Sequence, residues 1–382
     1  MGPGRVAAGQ NDFMLKRIYA DNFRCFTNFE LRLDRLNLLL GENGSGKTSV
    51  FELLHRLQRF LGGEAKVRDV FPSGDLTRWQ EDATQRFEIS IAADGGEFAY
   101  ALVIEHDAER RNARVHREAL SLDGQPLFEF KEGTVRLFHD DSSRGPEYPF
   151  DWTQSGLAVL NPRADNKKLT RFRQAVKKII VAGIHPMLMR SESREEAAQL
   201  SRHMENFTSW YRFASAEHQG ATFAAFLELA QVLPGFQSFS LKEAGEAKLL
   251  KVLMKSPAAP GREQFLFDFD ELSDGQKVLA ALYCVLFVLR DQGGSLFLDE
   301  PDNFVTLREI QPWFTGLQDL IGDGWEQAVL ISHHPGIIDR VPASAVRWFE
   351  REPNGHTVVS DGAKLQIPGL TSAEAMARGW TQ

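Results

Sequence analysis

The sequence predicts an α/β fold in which a mainly parallel core sheet is joined to an antiparallel β layer and a helical insert. Short apolar runs at residues 36–40, 295–299 and 328–332 are typical of buried parallel strands. Alternating hydrophobicity between residues 86 and 138 predicts antiparallel strands. A chain of 382 residues with 43% hydrophobic residues can form one large domain or two smaller ones.

A glycine-rich turn separates the first buried strand from an amphipathic helix. The segment Gly41–Thr48 matches the phosphate-binding pattern Gly-x-x-x-x-Gly-Lys-Thr. A strand, turn and helix in this order direct backbone N–H groups and a helix N-terminus at one anion. We therefore expect Lys47 to reach the β- and γ-phosphates of ATP and Thr48 to hold Mg²⁺. The other predicted nucleotide-binding residues of this loop are Asn43, Gly44, Ser45, Gly46 and Ser49.

The predicted buried strand Ser295–Asp299 ends in one carboxylate, and a second, Glu300, follows it directly. Ligands of open α/β sheets gather at the carboxyl ends of the strands, so we expect Asp299 to contact magnesium. Glu300 is then placed to orient and polarise the attacking water. The apolar strand that leads directly into these acids favours this interpretation over a solvated turn.

A second helix N-terminus lies late in the chain. Ser273 and Gly275 open a helix predicted for residues 275–290. A helix N-terminus carries partial positive charge and free N–H groups, so it attracts phosphate. We therefore predict that Gly275 also belongs to the nucleotide site.

Taken in order, four motifs resemble those of the ABC-type ATPase superfamily. They are the phosphate loop, the signature segment 271–277, the Walker B and D-loop segment 295–303, and the switch-histidine segment 329–335. The resemblance implies that Ser273 binds the γ-phosphate held by the opposite subunit, as in a homodimer with ATP between two heads. It implies that His333 contacts the γ-phosphate and the catalytic water, with His334 as the alternative.

The resemblance also covers weaker candidates. Asp302 and Asn303 fill the D-loop position, which is expected to cross the dimer interface. Residues 18–26 resemble the opening strand of SMC- and RecF-like ATPases, where an arginine lies near the nucleotide. Arg24 is that candidate, and a surface arginine is the alternative. The magnesium-sensing glutamine of the superfamily is not placed, and Gln154 is not adopted for that role.

The split motifs predict a discontinuous head made of residues 14–160 and 262–361. The insert 161–261 is expected to contain helices and a terminal hairpin, with a leader at 1–13 and a tail at 362–382. Its predicted elements are helices at 165–180, 201–217 and 221–233, and a hairpin of 248–254 with 263–269. No sustained heptads are present, so no long coiled coil is expected.

The length of the insert and its lack of a long coiled coil indicate which branch of the ABC-type ATPase superfamily the chain resembles. Transporter ATPases carry a shorter segment between the phosphate loop and the signature, and SMC proteins carry a long coiled coil there. The chain resembles compact RecF-like or OLD-family-like AAA ATPases of the AAA-21 type. Residues 334–382 are too few for the Toprim nuclease domain of OLD-family proteins, so a separate effector is expected.

Two functions follow from this resemblance. The first is an ATP-driven dimeric switch that controls a nuclease or toxin in bacterial antiphage defence. The alternative is a DNA-binding repair ATPase, and a transporter subunit is the least favoured. A basic cluster favours DNA contact, although a solvated helix face explains it as well. The cluster consists of Lys167, Lys168, Arg171, Arg173, Lys177 and Lys178.

Charge, cysteine content and hydropathy limit the partners and the cellular location that are expected for this chain. The net charge of −8 argues against a general polyanion binder. Cys25 and Cys284 are far apart and give neither zinc spacing nor a disulfide framework, which suits a reducing cytoplasm. No apolar stretch reaches transmembrane length, so no membrane contact is expected.

Overall fold

The computed structural model describes residues 13–93, 96–107, 109, 112–255, 264–290, 294–365 and 370–378. Within them, the strands form an eight-stranded sheet, a six-stranded sheet and a four-stranded sheet. The α-helices are α1 (Lys47–Gly62), α2 (Val67–Val70), α3 (Lys167–Lys177), α4 (Phe207–Glu217), α5 (Gln219–Val232), α6 (Asp274–Val288), α7 (Leu307–Leu320), α8 (Pro335–Ile338) and α9 (Ser372–Ala377).

The eight-stranded sheet is the antiparallel β layer that the sequence predicts. Its strands are β1 (Met14–Asp21), β2 (Phe29–Arg32), β4 (Thr84–Ala93), β5 (Gly96–Asp107), β6 (Asn112–Leu122), β7 (Gln125–Lys131), β8 (Thr134–Phe138) and β9 (Arg144–Pro149). They pair in the order β2-β1-β4-β5-β6-β7-β8-β9. Strands β4 to β8 confirm the antiparallel strands predicted between residues 86 and 138. The predicted turn at 94–96 lies outside the described residues except for Gly96, which begins β5.

The six-stranded sheet is the core sheet. Its strands are β3 (Leu36–Gly41), β10 (Ile179–Gly183), β15 (Ser295–Asp299), β16 (Gln327–Ile331), β17 (Val346–Arg351) and β18 (Thr357–Asp361), in the order β10-β15-β16-β3-β17-β18. All neighbours pair in parallel except β17 and β18. Gly183 pairs with Asp299, and Asp299 pairs with Ile331, so these strands end at one edge.

The C-terminal boundary of the first predicted helix of the insert is wrong. The helix predicted for residues 165–180 ends at Lys177, and Ile179 begins β10. Ile179 and Ile180 continue the helical spacing of Leu169, Phe172 and Val176, so periodicity does not separate the two elements. Pairing with β15 decides the conformation. Because β10 is part of the core sheet, we propose that the head also includes residues 179–183.

The smaller sheet lies in the region predicted as the insert. It contains β11 (Glu192–Ser193), β12 (Phe236–Ala244), β13 (Ala247–Lys255) and β14 (Gln264–Asp268). The pairing of β13 with β14 confirms the predicted hairpin, whose connection at 257–261 lies outside the described residues. The sequence reading missed β12, which pairs with β13 along its length.

The helix predicted from residue 201 begins only at Phe207. The side chain of Asn206 accepts hydrogen bonds from the backbone and the hydroxyl of Ser201, which holds residues 201–206 in a turn.

The core sheet separates two apolar clusters. One face packs against α1 and the antiparallel layer, where Phe51 meets Phe297 edge to face at 5.3 Å between ring centroids. The other face packs against α6, which is buried along most of its length. No helix in the described part of the chain is longer than the 16 residues of α1. None of the helices described is both long and apolar enough to cross a membrane.

Candidate functional site

The phosphate loop lies between the end of β3 at Gly41 and the start of α1 at Lys47. Gly46 has a φ of 103°, and a β-carbon there would come within 2.8 Å of both Cys25 Sγ and the ring of Phe26. The hydroxyl of Thr357 donates to the carbonyl oxygen of Ser45 at 3.0 Å. The loop is therefore supported from outside, and its second glycine is required by close packing.

Lys47 is the buried cation of the loop. Its side chain is folded back so that Nζ donates to the carbonyl oxygens of Gly41 and Glu42, each at 2.8 Å. Burial lowers the pKa of Lys47, and the nearby carboxylates of Glu300, Asp299 and Glu42 oppose that shift. A lysine positioned by loop carbonyls at a helix N-terminus suits phosphate binding.

Thr48 and Asp299 meet at the carboxyl edge of the core sheet. Thr48 Oγ1 lies 3.5 Å from Asp299 Oδ1, although the residues are far apart in sequence. Burial raises the pKa of Asp299, and Glu300 adds to the effect, whereas Thr48, Arg202 and Lys47 oppose it.

The donors of this pair fit magnesium. A hydroxyl and a carboxylate are hard oxygen ligands, and magnesium typically takes few protein ligands beside substrate phosphates and water. The described residues contain no group of three or more His, Cys, Asp and Glu that could hold a metal.

Glu300 has an unusual backbone conformation. Its φ is 48°, its N–H donates to the carbonyl oxygen of Ile331 at 2.9 Å, and Asn303 Nδ2 donates to its carboxylate at 2.7 Å. A non-glycine residue in the left-handed region is uncommon and costs free energy. The turn thus directs Glu300 away from the path of β15, and Asn303 orients its carboxylate.

The two candidate histidines have different roles. His334 Nδ1 accepts a hydrogen bond from the N–H of Gly336 at 3.1 Å, so His334 caps the short helix α8. His333 Nε2 is buried without a hydrogen-bond partner. Burial lowers the pKa of His333, and Lys47 lowers it further, while Glu300 and Asp302 act in the opposite direction. We therefore expect a neutral imidazole that still has hydrogen-bonding capacity to use.

Ser273 is exposed at the N-terminus of α6. Its hydroxyl accepts from the N–H of Gln276 at 3.4 Å, and the Gln276 side chain accepts from its N–H at 2.9 Å. This capping box explains the start of the helix. Asp274 occupies the first turn, where a negative charge is favourable to the helix dipole. The structure therefore gives the acidic residue of the signature a local role.

Arg24 is not a simple surface arginine. It has a φ of 55°, its backbone N–H donates to the carbonyl of Asp75 at 2.7 Å, and its Nε contacts the Asp75 carboxylate at 3.0 Å. Gln154 lies in the irregular segment that follows β9, between Thr153, whose carbonyl accepts from the N–H of Val67, and Ser155, whose hydroxyl donates to Glu118.

The sequence reading missed Arg202. Its carbonyl accepts from the N–H of Gly183 at 2.8 Å, and its guanidinium forms an ion pair with Glu52 on α1. Gly183 is the partner of Asp299 in the sheet, so Arg202 lies beside the Walker B strand. Arg202 could not be predicted to lie near the site, because β10 was predicted as the end of a helix.

Comparison with known proteins finds a family match in the N-terminal part of the chain and similar folds among solved structures. The AAA ATPase domain family matches residues 14–94, which include the phosphate loop. The chain is similar to the SMC head in a crystal structure with the C-terminal winged-helix domain of ScpA, with a TM-score of 0.56, 13% identity and coverage of 95% of this chain and 99% of that one.

Two further SMC heads are similar. One is the Pyrococcus furiosus head with an extended coiled coil bound to the C-terminal domain of ScpA, with a TM-score of 0.53, 10% identity and coverage of 96% and 98%. The other is the SMC head domain from Thermotoga maritima, with a TM-score of 0.48, 14% identity and coverage of 91% and 98%.

The fold is similar to that of SMC head domains, and residues 14–94 match an AAA ATPase domain family. No curated protein matches the chain in sequence.

Proposed function

We propose that this protein binds ATP with magnesium and hydrolyses it in composite sites of a homodimer. The observation that carries the proposal is the approach of Thr48 to Asp299 at 3.5 Å. This contact joins the phosphate loop to the Walker B strand, and Lys47, Glu300 and His333 act on one another electrostatically beside it.

Each residue then has a distinct chemical task. Lys47 and the N–H groups of the loop bind the phosphates, and Thr48 and Asp299 hold magnesium. When bound, magnesium neutralises charge on the phosphate oxygens. Glu300 orients the attacking water and accepts its proton on the carboxylate that Asn303 positions. His333 Nε2 makes a hydrogen bond to the terminal phosphate.

A second protomer completes the site in this proposal. Ser273 is exposed, and its cap hydrogen bonds with Gln276 lie within its own helix. Phe304, which follows the D-loop segment, is 59% exposed and offers an apolar side chain for contact with a partner. Both features support an interface at which Ser273 reaches the ATP of the partner.

The proposal also covers the biological role of the ATPase. Two of the similar SMC heads are described in complex with a domain of ScpA, so heads of this fold bind other proteins. We infer that this chain acts in the cytoplasm and controls a separate effector, a nuclease or toxin, in bacterial defence. Its ATP-dependent closure would hold or release that effector.

DNA repair is the second candidate because Lys167 and Lys177 are exposed on α3. Other members of the basic cluster are engaged within the chain. Arg173 donates to the carbonyls of Leu160 and Ala158, and Lys168 donates to that of Asp140. A smaller free basic surface supports DNA contact less than the sequence suggested.

The ATPase proposal is tested by measuring ATP binding and phosphate release with and without magnesium. We expect magnesium-dependent release in the wild type and little release from Asp299→Asn, which keeps the side-chain volume but removes the charge. Equal rates in both proteins would contradict the proposed site. DNA binding that falls steeply with salt would favour the repair alternative, whereas ATP-dependent co-purification with a nuclease or toxin encoded beside this gene would favour the effector role.

A further inference from the structure

Glu52 is a carboxylate at the centre of an ion-pair network that the proposed chemistry does not use. It lies on α1 one turn beyond Thr48, and its oxygens contact Arg56 at 2.7 Å, Arg24 at 3.8 Å and Arg202. Asp75 contacts both Arg24 and Arg56. Three guanidinium groups thus surround two carboxylates in a partly buried network.

Arg202 brings this network to the Walker B strand. Its backbone carbonyl accepts from Gly183, and a β-carbon on Gly183 would lie 3.5 Å from the β-carbon of Asp299. The side chain of Arg202 is only 13% exposed. Burial lowers the pKa of Arg202, and the Asp299 carboxylate opposes that shift. Arg202 therefore pairs with a carboxylate on the phosphate-loop helix, while its backbone lies beside the strand that carries Asp299.

The same chain segment also reaches the signature motif. We call residues 184–206, which join β10 to α4, the β10–α4 connection. Within it, Ser191 donates its N–H to the Asp270 carboxylate at 3.1 Å and accepts from the Asp270 N–H through its hydroxyl at 2.8 Å. Asp270 lies three residues before Ser273. The carbonyl of Ser191 further accepts from Leu250 N–H at 2.8 Å, so this end of the connection is firmly held.

We propose that Arg202 is a positioning residue through which the β10–α4 connection links the nucleotide site of a protomer to the signature loop of the same protomer. The proposal rests on the ATP site described above. With a magnesium ion held by Thr48 and Asp299, the Asp299 charge would be offset, and Glu52 would remain as the main anionic partner of Arg202. Arg202, already paired with Glu52, would then shift with α1, and the Ser191–Asp270 pair would transmit the movement to Asp270. ATP bound in one protomer thereby adjusts the serine that this protomer offers to its partner.

The test uses Ser273→Arg as the parent, so that head closure does not contribute. Hydrogen–deuterium exchange is measured with and without ATP and magnesium, alongside ATP affinity. In the parent we expect ATP to slow exchange several-fold in residues 184–193 and 269–272. Adding Arg202→Gln should leave ATP affinity within about threefold (about 0.65 kcal/mol) and abolish that slowing, and Arg202→Lys should retain it. Arg194→Gln is the matched control, since Arg194 pairs with Glu192 in the same connection but is 80% exposed, and it should behave as the parent.

A second variant keeps the proposal testable if Arg202→Gln does not fold. Ser191→Ala should preserve the ATP-dependent change near Arg202 and lose it in residues 269–272. The proposal would be overturned if ATP still slowed exchange in residues 269–272 of either variant. It would also be overturned if ATP did not slow exchange there in a parent that binds ATP. A parent that binds no ATP would instead contradict the proposed function, so the two failures are distinguishable.

Discussion

The carbonyl oxygen of Phe304 lies directly against Gly275, where an added β-carbon would come within 2.5 Å of it. This contact joins the segment after Glu300 to the first turn of the signature helix within one protomer. Phe304 has a φ of 69°, so the turn that delivers its carbonyl is itself unusual for a non-glycine residue. The glycine of the signature is thus required by its own chain, whatever contact it makes with phosphate.

Gly275→Ala should destabilise the protein by about 1–3 kcal/mol, because backbone atoms of Phe304 must move to accept the methyl group. Gly220→Ala is a matched control. Gly220 is also the second residue of a helix, but a β-carbon there meets nothing within 4 Å. We expect that substitution to be neutral or to stabilise the protein by up to about 1 kcal/mol. Urea unfolding compares the two, and similar effects in both would show that the Phe304 contact carries no constraint.

Lys47→Ala should weaken ATP binding by about 30-fold or more, since a buried cation aimed at phosphate contributes roughly 2 kcal/mol or more. Isothermal titration with ATP and magnesium measures the loss. Lys66→Ala, an exposed lysine just beyond the same helix, should bind as the wild type does. Unchanged affinity of the Lys47 variant would refute the phosphate-loop assignment.

Glu300→Gln should bind ATP as the wild type does and hydrolyse it roughly 100- to 10,000-fold more slowly, because the amide does not accept the proton of the attacking water. The amide oxygen can still accept from Asn303, so the turn should be retained. Phosphate release and ATP affinity are measured on one preparation. Turnover at the wild-type rate would mean that another residue is the base.

Glu118→Gln should change how stability depends on pH. Burial raises the pKa of Glu118 from 4.5 to about 7, although Ser155, Gly156 and Tyr100 donate hydrogen bonds to it. Between these values the native state holds more protons than the unfolded state, so the contribution of Glu118 to stability falls as pH rises from 4.5 to 7.

The glutamine stays neutral at every pH. The free energy of unfolding of the variant, relative to that of the wild type, should therefore rise by up to about 3 kcal/mol between pH 4.5 and 7 and level off above pH 7. Denaturant unfolding of both proteins at a series of pH values measures the difference. A constant difference would mean that folding does not raise the pKa of Glu118.

The core of the site could be predicted from sequence because its residues stand next to strong local patterns. Asp299 ends one apolar strand, and Lys47 and Thr48 follow another through the glycine-rich loop. Both strands end at the same sheet edge, and the structure brings Thr48 and Asp299 together there. His333 was predicted from the resemblance to the switch-histidine motif, whereas His334 could be assigned to helix capping only from the structure.

The features that could not be predicted depend on pairing between strands that are distant in sequence. Ile179 and Ile180 fit a helix as well as a strand, so β10 became visible only through its pairing with β15. Once β10 was missed, Arg202 stood in an apparently unrelated segment, and its proximity to Asp299 had no sequence signal. The strand β12 was likewise determined by its partner β13 rather than by a distinctive pattern of its own.

The proposed composite site is tested most directly by sedimentation velocity on Glu300→Gln with ATP and magnesium, beside the double variant with Ser273→Arg. We expect the single variant to sediment as a dimer, and the double variant to bind ATP but remain a monomer, because an arginine at the exposed start of α6 blocks approach of the partner. A monomeric single variant with ATP bound, or an ATP-bound dimer of the double variant, would contradict the account.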